Sequence, residues 1–213
     1  MTKIILSLET KESLDIIPYL GKYIDGVKIN HLLWNELDFD VEEGKELFVD
    51  FKLWDTPNTV KTVVESIIKK GGTMTTISTF NCESVFDELE QYKNDIKLLA
   101  VTYLTSWNRD EQYQICREMP DFMWRRHLSR VKGFYGVVCS AQDIGMLSGA
   151  DKSLKRVCPG ITYGNNNSGQ VRTTTPKEAQ DLGADYIVIG RAITESENPL
   201  ETLKQIRNSP ITQ

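Results

Sequence analysis

Short apolar runs rich in Ile, Val and Leu recur along this chain, and the segments between them place their apolar positions at helical spacing. Eight runs read as strands: residues 3–8 (KIILSL), 25–30 (DGVKIN), 47–53 (LFVDFKL), 73–78 (TMTTIS), 96–103 (IKLLAVTY), 134–140 (FYGVVCS), 154–160 (LKRVCPG) and 185–190 (DYIVIG). Strands apolar on both faces belong in a parallel sheet covered by helices. Eight of them with interleaved helices predict an α/β fold, a closed (β/α)8 TIM barrel built as a single domain over residues 1–213. The functional groups of such a barrel lie in the loops that follow its strands.

The helical segments carry ordinary punctuation. Residues 59–70 form a helix that stops at Gly71-Gly72, and Pro176 opens a short one that stops near Gly183. Within residues 106–132, Pro120 splits two helices that together cover one strand-to-strand crossover. The polar, glycine-flanked stretch YGNNNSG, residues 163–169, reads as a mobile loop.

Composition narrows the class. With 25 basic and 30 acidic residues the net charge is −5, which gives no general attraction to nucleic acid or to an anionic membrane. An anionic ligand must therefore be held by local groups. The four cysteines, Cys82, Cys116, Cys139 and Cys158, are scattered and include no C-x-x-C pair, so neither a zinc cage nor a disulfide framework is expected. This usage fits a reducing cytosol. The N-terminal apolar run is too short for a signal peptide, and no stretch approaches the ~20 apolar residues of a membrane span. A cytoplasmic protein is expected.

Charge is concentrated in one place, VDFKLWDTPNTV at residues 49–60. Strand alternation sets Val49, Phe51 and Leu53 on one face and Asp50 and Lys52 on the other, pointing toward the barrel mouth. Buried singly, either charge is expensive, so the two should pair, with Asp55 following in the loop. A lysine between two carboxylates is also an acceptable structural ion pair, and position alone leaves both readings open. Lys28 lies at the same level on the second strand, and Glu9 follows the first, where it could equally be an acid at a helix N-terminus.

A second group sits near the other end of the chain. One predicted strand leaves through Pro159-Gly160 into a loop ending at Gly169, Gln170 and Arg172, and the last ends at Gly190-Arg191. Amides exposed by glycine, a helix N-terminus and an arginine suit an anion, and barrels often hold phosphate after strands seven and eight. Ser140 could meet a ligand's polar edge or simply cap the following turn. His31 and His127 suggest neither a triad nor a metal site. Trp34, Trp54, Trp107 and Trp124 read as packing or interface residues, since no basic patch accompanies them to make a base-stacking platform.

These residues resemble the orotidine 5′-monophosphate decarboxylase family. Its D-x-K-x-x-D-x-P-N-T signature stands here as Asp50 to Thr59, and its second-strand V-K as Val27-Lys28. LLAVTxLTS matches Leu98 to Ser106, GVVCSAQ matches Gly136 to Gln142, and PGI matches Pro159 to Ile161. A GxQxR-like gripper matches Gly169 to Arg172, and GADYIVIGRxIT matches Gly183 to Thr194.

The resemblance implies decarboxylation of orotidine 5′-monophosphate to UMP with no metal and no organic cofactor. Lys52 would protonate C6 while Asp50 holds the lysine beside the leaving carboxylate. Asp55 and Thr56 would come from the other subunit of a homodimer, with Thr59 nearby. Lys28 and Glu9 would meet the ribose, Ser140 the pyrimidine edge, and Gln170 with Arg191, near Pro159, Gly160 and Gly190, the phosphate as the 162–173 loop closes. Departures from the family pattern are Glu9 in place of aspartate, Thr56 in place of isoleucine, and Ser78-Thr79-Phe80 in place of a histidine-containing strand end. Two alternatives stand beside the enzyme: a non-catalytic pyrimidine-nucleotide-binding homologue, and a metal-dependent sugar-phosphate decarboxylase or aldolase of the same superfamily.

Overall fold

The computed structural model describes residues 2–35, 42–117, 120–131, 133–149, 153–164 and 172–208. Eight parallel strands pair in chain order and close on themselves: β1 (Lys3–Ser7), β2 (Gly26–Ile29), β3 (Glu46–Leu53), β4 (Met74–Ser78), β5 (Lys97–Val101), β6 (Gly136–Val138), β7 (Lys155–Cys158) and β8 (Tyr186–Ile189). Closure is made between β1 and β8, with Ile5 opposite Val188. The expected barrel is formed, and each of the eight apolar runs supplies one strand. Several strands are shorter than their runs, because residues such as Thr102 and Tyr103 extend past the last ladder partner onto the rim.

Helices cover the outside. In chain order they are α1 (Ile17–Leu20), α2 (His31–Trp34), α3 (Pro57–Lys69), α4 (Glu83–Leu89), α5 (Arg109–Cys116), α6 (Pro120–Leu128), α7 (Pro176–Asp181), α8 (Arg191–Thr194) and α9 (Pro199–Asn208). Sequence explains their bounds. Pro57 and Pro176 supply the pre-set φ of a first turn, and Gly71, at φ 82, follows the end of α3 in a conformation that costs glycine little. Asn108 and Glu111 form a capping box on α5, and Pro120 opens α6, so residues 106–132 do split into two helices. The β6–β7 crossover is a 3₁₀ segment, Ala141–Gly149.

Two apolar clusters follow from the two-residue period of the strands. Ile5, Phe48, Met74, Leu99, Val157, Tyr186 and Val188 fill the barrel, while their neighbours, among them Ile4, Leu6, Leu47 and Val49, pack outward against the helices. At the closed end Glu46, 5% exposed, is paired with Lys97 and accepts the Thr73 hydroxyl at 2.8 Å. The barrel floor is thus sealed by a satisfied ion pair, and the open end is left for chemistry. No helix among the described residues is long and apolar enough to cross a membrane.

Candidate active site

A cavity of about 300 Å³ opens at the C-terminal ends of the strands. β1 and its loop contribute Ser7 and Glu9, β2 contributes Lys28, and β3 contributes Asp50 and Lys52; Pro159 and Gly160 after β7 and Gly190 and Arg191 after β8 close the opposite wall. The two groups singled out from opposite ends of the chain therefore share one cavity.

At its base an aspartate lies between two lysines. Asp50 Oδ2 is 2.9 Å from Lys52 Nζ and 3.5 Å from Lys28 Nζ, and Asp50 Oδ1 accepts the Thr76 hydroxyl at 2.9 Å. The Asp50 and Lys28 side chains are each 14% exposed, whereas Lys52 is 42% exposed and forms the open end of the array. Burial alone would raise the Asp50 pKa; the fields of Lys28 and Lys52 and hydrogen bonds from Lys52 and Thr76 outweigh it and hold the carboxyl below the usual carboxylate range. Asp50 is a fixed anion.

Simple alternation does not bring Lys52 to this place. The β3–β4 register runs through Phe48 opposite Met74 and Val49 opposite Thr75, then resumes at Leu53 opposite Ile77, so β3 advances from 49 to 53 while β4 advances only from 75 to 77. Lys52 absorbs the excess by adopting φ 51, a left-handed conformation that costs a side-chain-bearing residue about 1 kcal/mol or more. Its N–H donates to Thr76 Oγ1 at 2.8 Å. A bulge, with a hydroxyl beside it, aims the lysine.

Asp55 does not complete the array of its own chain. After the bulge, the Asp55 N–H donates to Asn81 Oδ1 at 3.2 Å, and the Asn81 side-chain amide donates to the Leu53 carbonyl at 2.8 Å. These contacts turn the chain into α3, where Asp55 Oδ1 accepts the Thr56 N–H at 2.6 Å. That backbone hydrogen bond and the Thr59 hydroxyl lower the Asp55 pKa. Asp55, Thr56 and Thr59 are exposed and do not line the cavity of their own chain.

Ser140 is also outside the cavity wall. It is 1% exposed, and its hydroxyl accepts the Gln142 N–H at 3.3 Å, the local turn-capping role weighed for it from sequence. Arg172, read as part of an anion-binding loop, is instead committed to Asp143 at 2.6 Å, with its guanidinium over the Tyr103 ring. Gln170 and most of the 163–169 stretch lie outside the described residues. The base of that loop is closed by a bridge between Ile161 and Thr174. Cys139, just after β6, and Cys158, at the end of β7, come together with Sγ atoms 4.0 Å apart, and both are free thiols.

Sequence reasoning passed over Thr76 and Asn81, and also Thr105 and Ser106, which line the cavity after β5. The last two stand in the L-T-S stretch at residues 104–106, so the signal was present. Thr76 carried none, because threonine is an ordinary strand former.

Comparison with known proteins finds relatives over nearly the whole chain. A sequence profile described as "Orotidine 5′-phosphate decarboxylase / HUMPS family" matches residues 2–206. The chain is 34% identical to an orotidine 5′-phosphate decarboxylase of Actinobacillus pleuropneumoniae, covering 97% of this chain and 98% of that protein. It is 33% identical to one from Dictyoglomus turgidum, covering 94% and 90%. The crystal structure of orotidine 5′-phosphate decarboxylase from Lactobacillus acidophilus superposes with a TM-score of 0.74 at 28% identity, over 97% of this chain and 98% of that one. The chain belongs to the orotidine 5′-phosphate decarboxylase / HUMPS family.

Proposed function

We propose that this protein decarboxylates orotidine 5′-monophosphate to UMP in pyrimidine biosynthesis, and that it does so by fixed charge without a metal or organic cofactor. The observation that carries the reading is the Lys28–Asp50–Lys52 array, seated in a cavity whose far wall is Gly190-Arg191. Breaking the bond from C6 to the carboxylate releases CO2 and leaves the electron pair on C6. The Lys52 ammonium stabilises that charge and transfers a proton to C6, and the neutral amine is then reprotonated from water. Asp50, held ionised, keeps the ammonium in place and presents a negative charge to the departing carboxylate. Because these dipoles and charges are in position before substrate arrives, they need no reorganisation during the reaction.

Lys28 and Glu9 meet the ribose, and Arg191, Gly190, Gly160 and Pro159 hold the phosphate with Gln170. Phosphate contacts lie far from C6, so their binding energy serves closure and exclusion of water. The working unit is a cytoplasmic homodimer in which Asp55 and Thr56 of each chain enter the other's cavity, with Thr59 beside them; their exposure in a single chain supports this arrangement.

A magnesium-dependent sugar-phosphate reaction, the second activity class considered from sequence, is disfavoured by Lys28. Its ammonium, 3.5 Å from Asp50 Oδ2, already neutralises the carboxylate that a divalent cation would require. Purified protein treated with a chelator and given orotidine 5′-monophosphate separates the readings. Loss of orotate absorbance that is unaffected by chelator is expected. No turnover by folded protein, or turnover restored only by magnesium, overturns the proposal; tight UMP binding with zero turnover points to the non-catalytic homologue.

A further inference from the structure

We propose that Thr76 is a positioning residue for the charge array, its single hydroxyl fixing both the backbone of Lys52 and the carboxylate of Asp50. The inference rests on the decarboxylase reading and deepens it. Thr76 is 1% exposed and does not line the cavity, so any influence on the reaction passes through the groups it touches.

The geometry leaves the hydroxyl one orientation. A backbone N–H can only donate, so the oxygen of Thr76 accepts from Lys52 at 2.8 Å. An ionised carboxylate can only accept, so the hydroxyl proton points at Asp50 Oδ1, 2.9 Å away. One group thus supplies the partner that the bulged Lys52 N–H lacks in the strand ladder and also pins the free oxygen of the aspartate. The other oxygen, Oδ2, faces Lys28 from β2 and Lys52 from β3. Without the hydroxyl, Lys52 at φ 51 has no such tie to β4, and Asp50 can rotate about its side-chain bonds.

Register explains why this position has the role. Phe48 and Met74 lie opposite each other inside the barrel, and two residues further along each strand the inward positions are Asp50 and Thr76. The neighbouring Thr75, on the outward face, donates to the Val49 carbonyl at 2.9 Å and is buried away from the array. The two adjacent threonines therefore have different tasks: one secures the strand before the bulge, the other the bulge itself.

Threonine and valine have nearly the same shape, so Thr76→Val removes the hydroxyl and Thr76→Ser retains it. In Thr76→Val, kcat for orotidine 5′-monophosphate should fall about 10- to 100-fold, as expected for leaving two buried polar partners unsatisfied, while UMP affinity changes less than about threefold. The acid limb of the kcat profile should move to higher pH, because Asp50 loses a donor to its ionised form. Thr76→Ser should restore both kcat and the acid limb. A wild-type kcat and acid limb in Thr76→Val overturn the proposal, as does a Thr76→Ser enzyme as impaired as Thr76→Val, which would assign the effect to packing. If Thr76→Val does not fold, Thr76→Ala against Thr76→Ser supplies the same contrast.

Amide exchange at Lys52, followed by NMR on the same proteins, tests the hydroxyl's hold without relying on turnover. Exchange should be at least about tenfold faster in Thr76→Val and unchanged in Thr76→Ser; equal rates in all three proteins refute the positioning role. Wild-type protein that exchanges as expected but never decarboxylates refutes the decarboxylase reading instead.

Discussion

Asp50→Asn puts the charge array under the most informative strain. The two ammonium nitrogens lie 2.9 and 3.5 Å from one carboxylate oxygen, so they are at most 6.4 Å from each other, the sum of those distances. At an effective dielectric constant of about 20, two unit charges so separated repel by about 3 kcal/mol. Lys52 is 42% exposed, and solvent screening reduces this to about 1 kcal/mol. Replacing the carboxylate acceptor by a neutral amide oxygen weakens the ammonium's hydrogen bond by about 1 kcal/mol more. Together these displace Lys52 by a free energy of about 2 kcal/mol, or about 30-fold in kcat. The same change leaves two cations facing an anionic substrate, so KM should hold steady or decrease. Orotate absorbance followed over a range of substrate concentrations yields kcat and KM separately. A kcat equal to wild type, or a loss confined to KM, would falsify the view that Asp50 holds the ammonium in its working position.

Arg191→Ala, at the cavity rim, should weaken UMP binding about 10- to 100-fold by calorimetry while leaving uridine binding unchanged; an equal loss for uridine would remove the arginine from the phosphate site. The folded Asp50 pKa lies below its unfolded value of about 4, so its stabilising contribution is complete above that pH and disappears as pH falls through the lowered folded value. Thermal unfolding from pH 6 down to pH 2 should therefore show a smaller acid-induced drop in Tm for Asp50→Asn than for wild type, and identical drops would contradict the assignment. Phe48→Ala, at a site 1% exposed inside the barrel, should lower stability by about 3–5 kcal/mol in urea titrations; a change below about 1 kcal/mol would mean the interior is not packed as described.

The strands were legible because a barrel strand is apolar on both faces and is bounded by polar residues or glycine, which leaves a short, dense signal. Period two also placed Asp50 on the inward side of β3, two residues after Phe48. The bulge that delivers Lys52 was not legible, since no glycine or proline marks it and a lysine at φ 51 has no signature in sequence. The turn that carries Asp55 away from its own chain's array was not legible for a related reason: Asn81, 26 residues away, decides where the backbone turns, and a single side-chain amide contact of that kind leaves no pattern. Ser140 accepts the Gln142 N–H, the local capping role that its place between a strand end and a turn suggested. Long-range pairing also brought Cys139 and Cys158 together where spacing suggested isolation.

Lys52→Ala measures the central claim most directly. Turnover of orotidine 5′-monophosphate is compared for wild-type and variant proteins in the same chelator-treated buffer, with UMP binding measured by calorimetry to establish an intact site. The expected result is decarboxylation by the wild type, none above background by the variant, and UMP binding that survives in weakened form. A Lys52→Ala protein that still releases CO2 at a comparable rate would contradict the assignment of the ammonium as proton donor.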